Sequence, residues 1–247
     1  MKKTLILVLI VMLLSMLVIA AEKKEEVKYN SDGYPVHSME QPQPRVIEPG
    51  TFSTQEKPGR PPSDAIVLFD GRDTSAWMTK DGGSIPWKVK DGYMEIVPKS
   101  GVILTKRDFT SIQLHIEFAT PVGNNDKGQK RGNSGVFLAG RHEVQVLDCY
   151  GNQTYPDGQT AAIYAHKAPL VNACRPQGKW QTYDIIFHAA KRKNGKTVHG
   201  PTITVLHNGV LVQDNVEMNY KKLRGPIKLQ DHKNRVRYRN IWVRELD

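Results

Sequence analysis

The residues with the most chemical promise lie in RGNSGVFLAGRHEVQVLDCYGN, residues 131–152, where polar and apolar side chains alternate from Arg141 to Leu147. A strand turns successive side chains to opposite faces, so Val144 and Val146 suit a core while Arg141, Glu143 and Gln145 share the other face. A carboxylate, an amide and a guanidinium on one face can take a proton, bind hydroxyl groups and balance an anion. Asn133 stands in the polar loop that leads into Val136-Phe137-Leu138. Tyr164 and His166 follow in AAIYAHKAP. Near the C-terminus, Ile227 and Leu229 alternate with Lys228, Gln230 and His232, Asp231 sits at the strand end, and Arg237 and Arg239 share a face of the last run. His166 or His232 can protonate a leaving group, with Asp231 holding an imidazole. Each residue also has a plainer use: Glu143 as a surface partner of Arg141, His232 bonded to loop backbone, His166 in an exposed turn. Alternation assigns faces but does not show that separate strands converge.

No Ser-His-Asp order, phosphate loop, HExxH motif or calcium loop is present. No ligand spacing demands a cofactor. A divalent metal held by Glu143 and His232 stays open as a polarising group.

These residues need strands to position them, and from Ala65 onward the hydrophobic period is two. AIVLF is a short buried run. WKVK and YMEIV flank Asp91-Gly92, and TITVLH and VLVQD flank Asn208-Gly209, two hairpin signals. GVILT, SIQLHIEFA, SGVFLA, HEVQVLD, AAIY, WQTYDIIFHAA, GPIKLQ and VRYRNIWVREL complete about a dozen strands, the pattern of an all-β sandwich or barrel. Trp87, Trp180 and Trp242 read as core, and Trp77 as core or as a sugar-stacking platform. Two long polar connections, Pro121–Gly132 and Cys149–Lys179, are candidates for functional loops.

The 247 residues bound one sizeable domain with extensions. Lys2 and Lys3 precede a nearly continuous apolar run from Leu5 to Ala20, then Ala21 and the charged EKKEE, so residues 1–21 read as a signal peptide and the protein as exported, to the periplasm or beyond. An uncleaved N-terminal anchor is the alternative. Residues 22–62 are Pro-, Lys- and Glu-rich with unpatterned apolar residues, an extended linker or arm, and the domain runs over 63–247. The formal charge of +10 falls to +8 without residues 1–21. The basic residues are scattered, and neither a basic helix nor a nucleic-acid motif accompanies them. Cys149 and Cys174 form an even pair in the exported part, a candidate disulfide, with two free thiols as the alternative.

AIVLFDGRDTSAW, GNSGVFLAGRHEVQVLD, AAIY and GPIKLQDHKNRVRYRNIWVREL together resemble the 3-keto-disaccharide hydrolase family, over about residues 64–247. The resemblance implies a concanavalin A-like jelly roll of two antiparallel sheets, as in lectins and laminarinase-type glucanases. It also implies cleavage of glycosides whose sugar was first oxidised to a 3-ketone. Laminarinase-type enzymes carry paired carboxylates as E-x-D-x-E on one strand, whereas the matching positions here are Glu143-x-Gln145-x-Leu147, so the paired-carboxylate route is disfavoured at this strand. A 3-keto sugar needs one base for the acidified C2 proton, a donor to the enolate-like oxygen and an acid for the leaving group. On this reading Glu143 is the base, Arg141 and Gln145 orient the sugar or polarise the ketone, and His166 or His232 assists departure. Asn133, Tyr164, Gln230, Asp231 and Arg239 complete the candidate substrate contacts. The expected partner is a carbohydrate, made by an upstream sugar 3-dehydrogenase. A non-catalytic carbohydrate-binding module and a structural surface protein are the competing readings.

Overall fold

The computed structural model describes residues 27–219 and 223–246, so the expected signal peptide lies outside the described residues. No helix among the described residues is long and apolar enough to cross a membrane. The chain divides into two compact units at Val46/Ile47. In the first, the Asn30 side chain accepts hydrogen bonds from the backbone N–H groups of Asp32 and Tyr34 and so shapes a tight turn. The second holds every strand among the described residues, together with residues 47–62, the later part of the Pro-rich arm.

The strands in chain order are β1 (Ile66–Phe69), β2 (Trp77–Thr79), β3 (Lys88–Lys90), β4 (Tyr93–Glu95), β5 (Ile103–Thr105), β6 (Ile112–Ala119), β7 (Ser134–Leu138) and β8 (His142–Val146). They continue with β9 (Gln181–His188), β10 (Lys191–Lys193), β11 (Lys196–His199), β12 (Thr202–His207), β13 (Val210–Glu217), β14 (Lys228–Leu229) and β15 (Arg237–Glu245). An eight-stranded sheet runs β13-β12-β9-β6-β15-β4-β3, with β1 also on β15, and a five-stranded sheet runs β2-β5-β14-β7-β8. β10 and β11 form a separate hairpin. All pairings are antiparallel, and one buried apolar cluster draws residues from both sheets: the fold is the two-sheet jelly-roll sandwich expected from the sequence.

Local chemistry explains the turns. Asp91-Gly92 and Asn208-Gly209 have positive φ at both residues (50° and 78°; 53° and 81°), as two-residue hairpin turns that follow strand twist require. Each sheet then buries one face, the five-stranded one through Val136, Leu138, Val144, Val146 and Leu229, the eight-stranded one through Leu114, Ile116, Phe118, Tyr183, Ile185 and Tyr238. Two tyrosines tie the layers together. Tyr183 donates its hydroxyl to the Gln145 carbonyl at 2.6 Å, and Tyr238 donates to Ser134 Oγ at 2.7 Å. Such bonds satisfy polar groups that burial would otherwise penalise.

Two expectations need correction. AAIY is not a regular strand: Ala161 and Ala165 have φ of 66° and 54°, which breaks the pleat, and the segment runs along β8 as an irregular flank, with Ala161 N–H donating to Gln145 O and Tyr164 N–H to Glu143 O. Trp180 is not core. It lies partly exposed on the outer face of the eight-stranded sheet, beneath the guanidinium of Arg239. Trp77, by contrast, is core, its indole N–H bonded to Leu68 O at 2.8 Å.

Candidate active site

The outer face of the five-stranded sheet is set by register. Glu143 of β8 stands opposite Phe137 of β7, which stands opposite Lys228 of β14, so all three side chains leave the sheet on the side away from the core. One step along, Gln145 stands opposite Gly135, whose carbonyl accepts Gln230 N–H. The glycine matters: a Cβ at Gly135 would collide with Glu143 Oε1, so its absence gives the carboxylate room to lie over the neighbouring strand.

A cavity of about 460 Å³ opens above this row. Its floor is Glu143, Phe137 and Lys228. Its walls are Arg141, the irregular segment with Ile163, Tyr164 and His166, and Met218-Asn219 beyond the end of β13. Glu143 is the single carboxylate among the described lining residues. Burial pushes its carboxyl up to about 7, although the Lys228 ammonium pulls the other way. Lys228 Nζ lies 4.6 Å from the Phe137 ring centroid, so an aromatic face positions the cation. His166 Nε2–H donates to Glu217 O at 3.0 Å, which leaves Nδ1 as the open ring nitrogen of the neutral tautomer. The Tyr164 and Tyr155 hydroxyls lie 2.8 Å apart, and burial and this contact raise the Tyr155 phenol to about 12.

The structure brings Arg141, Glu143, Tyr164 and His166 to one cavity and sends the other candidates elsewhere. Gln145 is buried beside it, its amide donating to Gln129 Oε1 at 3.0 Å, and Asn133 is buried with its amide on Gln129 O. Gln230 borders Gly135 without lining the cavity. Asp231 holds backbone rather than imidazole, accepting from Gly101 N–H and Lys233 N–H. His232 lies beyond β14 in an exposed loop and does not line the cavity, so Glu143 and His232 do not meet as a ligand pair. Among the described residues, no three His, Cys, Asp or Glu side chains converge as a metal-binding set. Arg239 belongs to the opposite sheet, where it pairs with Glu117 at 2.7 Å. Cys149 and Cys174 are free thiols in contact; hydrogen bonding from Cys174 lowers the Cys149 thiol, and burial opposes that shift. Lys228 was missed as a functional residue, although its alternation with Ile227 and Leu229 placed it on a polar face.

Among the described residues the cavity holds one carboxylate and one ammonium, on the outer face of a two-sheet jelly-roll sandwich. Residues 64–244 match the family model of 3-keto-alpha-glucoside-1,2-lyase-like domains, and the chain belongs to that family. It is 23% identical over 243 residues to the 3-keto-disaccharide hydrolase of Bacteroides thetaiotaomicron, covering 74% of this chain and 78% of that protein. A crystal structure from Parabacteroides distasonis ATCC 8503, of a protein taken to be a glycosyl hydrolase, superimposes with a TM-score of 0.79 at 42% identity, over 89% of this chain and all of that one. A second from the same strain, similarly described, shares the fold with a TM-score of 0.59 at 17% identity, over 74% of this chain and 94% of that one.

Proposed function

We propose that this protein cleaves 3-keto-glycosides by elimination and hydration, with Glu143 as the base. One observation carries the reading: among the described residues the cavity offers one carboxylate, faced by one ammonium, where an ordinary glycosidase needs two carboxylates about 5–10 Å apart. A ketone at C3 removes that need. Glu143 takes the C2 proton, and the electron pair is held as an enolate whose C3 oxygen the Lys228 ammonium stabilises. The enolate collapses to expel the C1 substituent, forming a C1–C2 double bond, and the departing oxygen takes a proton from Nδ1–H of His166 in its imidazolium form, which leaves the neutral ring. Water then adds, its oxygen to C1, its released proton to His166 Nδ1 and a proton from Glu143 to C2, which restores both groups. The sum is hydrolysis to a 3-keto sugar and an alcohol. Arg141 and Tyr164 line the cavity as sugar contacts.

A carboxyl near 7 suits the base, since its ionised form and its proton affinity are then both useful at neutral pH. Family membership and the Bacteroides relative support the choice of keto substrate. The test incubates the wild-type protein and Glu143→Gln with 3-keto-disaccharides, 3-keto-glucosides and their unoxidised parents. Release from keto substrates alone, with solvent deuterium entering C2 and both signals gone in Glu143→Gln, supports the reading. Saturable sugar binding without cleavage would instead make this a carbohydrate-binding module.

A further inference from the structure

A second cavity, of about 400 Å³, lies on the outer face of the other sheet, roofed by part of the 50–62 segment. We infer that it is a subsite for an acidic saccharide, one uronic-acid unit of a polysaccharide, independent of the Glu143 site.

Its floor is built before any ligand arrives. Trp242, His115 and Asp184 stand side by side across β15, β6 and β9, and Arg239, Glu117 and Thr182 form the next row. The floor charges cancel in pairs. Arg239 Nε meets Glu117 Oε2 at 2.7 Å, and His115 Nδ1 meets Asp184 Oδ1 at 2.7 Å. Two guanidiniums at the cavity remain without an acid: neither Arg60 nor Arg175 has an ion pair among the described residues. Arg175 spends one N–H on Trp180 O at 3.3 Å, and the Arg60 side chain makes no hydrogen bond to a described residue. Two open forks match a carboxylate in charge and in geometry.

The rest of the lining suits a pyranose ring. Phe52, carried on the roof, is fully exposed at 102% relative accessibility, an unfavourable place for a phenyl ring that nothing covers. Trp180 and Trp242 line the same space, and no described residue accepts from either indole N–H. The Thr182 hydroxyl and Asp184 Oδ2 are likewise open at the cavity. Aromatic surface, open donors and open acceptors together bind a sugar's C–H face and its hydroxyls. The surplus of positive charge selects an acidic sugar over a neutral one.

The test is calorimetry on the full chain, using a trimer of galacturonic acid and its methyl ester as probes. Wild type and Glu143→Gln are expected to bind the acid alike and at least tenfold more tightly than the ester. Arg60→Gln and Arg175→Gln are each expected to weaken the acid at least tenfold while leaving keto-glycoside cleavage unchanged. No binding of the acid, equal binding of acid and ester, or binding lost in Glu143→Gln but kept in both arginine variants overturns the subsite. None of these outcomes bears on whether Glu143 is the base of the first cavity.

Discussion

Two glutamates, one on each outer face, show how much the surroundings decide. Glu143 sits in a cavity where the Lys228 ammonium lowers its carboxyl, but burial outweighs it and drives the carboxyl up to about 7. Glu117 has its side chain wholly buried, and burial alone would drive it up as well. Instead His115, Ser53, Asn240 and Arg239 surround it, and its carboxyl falls to about 2. Both carboxyls lose water, Glu143 in part and Glu117 wholly. The one left short of donors can exchange a proton at neutral pH, and the one saturated with donors holds structure.

Exchanging the roles by mutation gives the largest expected effect. Glu143→Gln should lower kcat on a keto substrate by about a thousandfold, and a turnover assay beside a melting curve checks that the fold survives. Glu117→Gln should leave kcat within about twofold, because the sites lie on opposite sheets. It should cost about 4 kcal/mol in urea unfolding, because Arg239 is left buried without its counter-charge. If Glu117→Gln abolishes turnover in a protein that still melts cooperatively, the division of labour fails.

The pH profiles sharpen the contrast. kcat/KM should rise about tenfold per pH unit below about 7, as Glu143 ionises. Lys228→Ala should move that limb to higher pH, since the ammonium lowers the carboxyl. Stability should follow the other glutamate. Glu117, depressed from 4.5, contributes fully above that value and loses its contribution as pH falls through about 2. His115 is opposed by burial but raised to about 9 by Asp184 and Glu117; it contributes fully below 6.5 and loses that as pH rises through about 9. Urea midpoints across pH should therefore fall off at both ends, and the alkaline loss should vanish in His115→Gln.

The smallest effects come from single contacts. Glu143 is destabilised in its ionised form, so Glu143→Gln should raise the melting temperature at pH 8 by about 3 °C. Ser53→Ala removes one donor to Glu117 and should cost about 2 kcal/mol. The corresponding chemical denaturation curves decide both.

What the sequence disclosed was what local chemistry determines. Asp91-Gly92 and Asn208-Gly209 announced their turns because few other residue pairs accept positive φ twice. Alternation around Val144 put Glu143 on an outer face because one side of that strand had to be buried. Convergence was hidden. Arg239 and Glu143 both alternate cleanly, yet their strands belong to different sheets, and nothing in either strand names its sheet. Lys228 was equally visible, but its place beside Glu143 depends on β7 lying between the two strands. Asp231 reads as an acid near a histidine, and only the fold shows it spent on the Gly101 and Lys233 amides.

The last strand also governs the order in which the molecule can form. β15 pairs with β6, β4 and β1, and its Arg239 and Asn240 receive the 53–55 segment through the Thr54 and Gln55 carbonyls and Ser53 Oγ. The earliest-made part of the domain thus waits for the latest. Pairings of such sequence separation form slowly, because a long loop must close before any contact repays it. A nascent chain that has not yet reached Arg237 has both sheets' worth of apolar strands but no keystone between β4 and β6, so the eight-stranded sheet closes only once β15 is available.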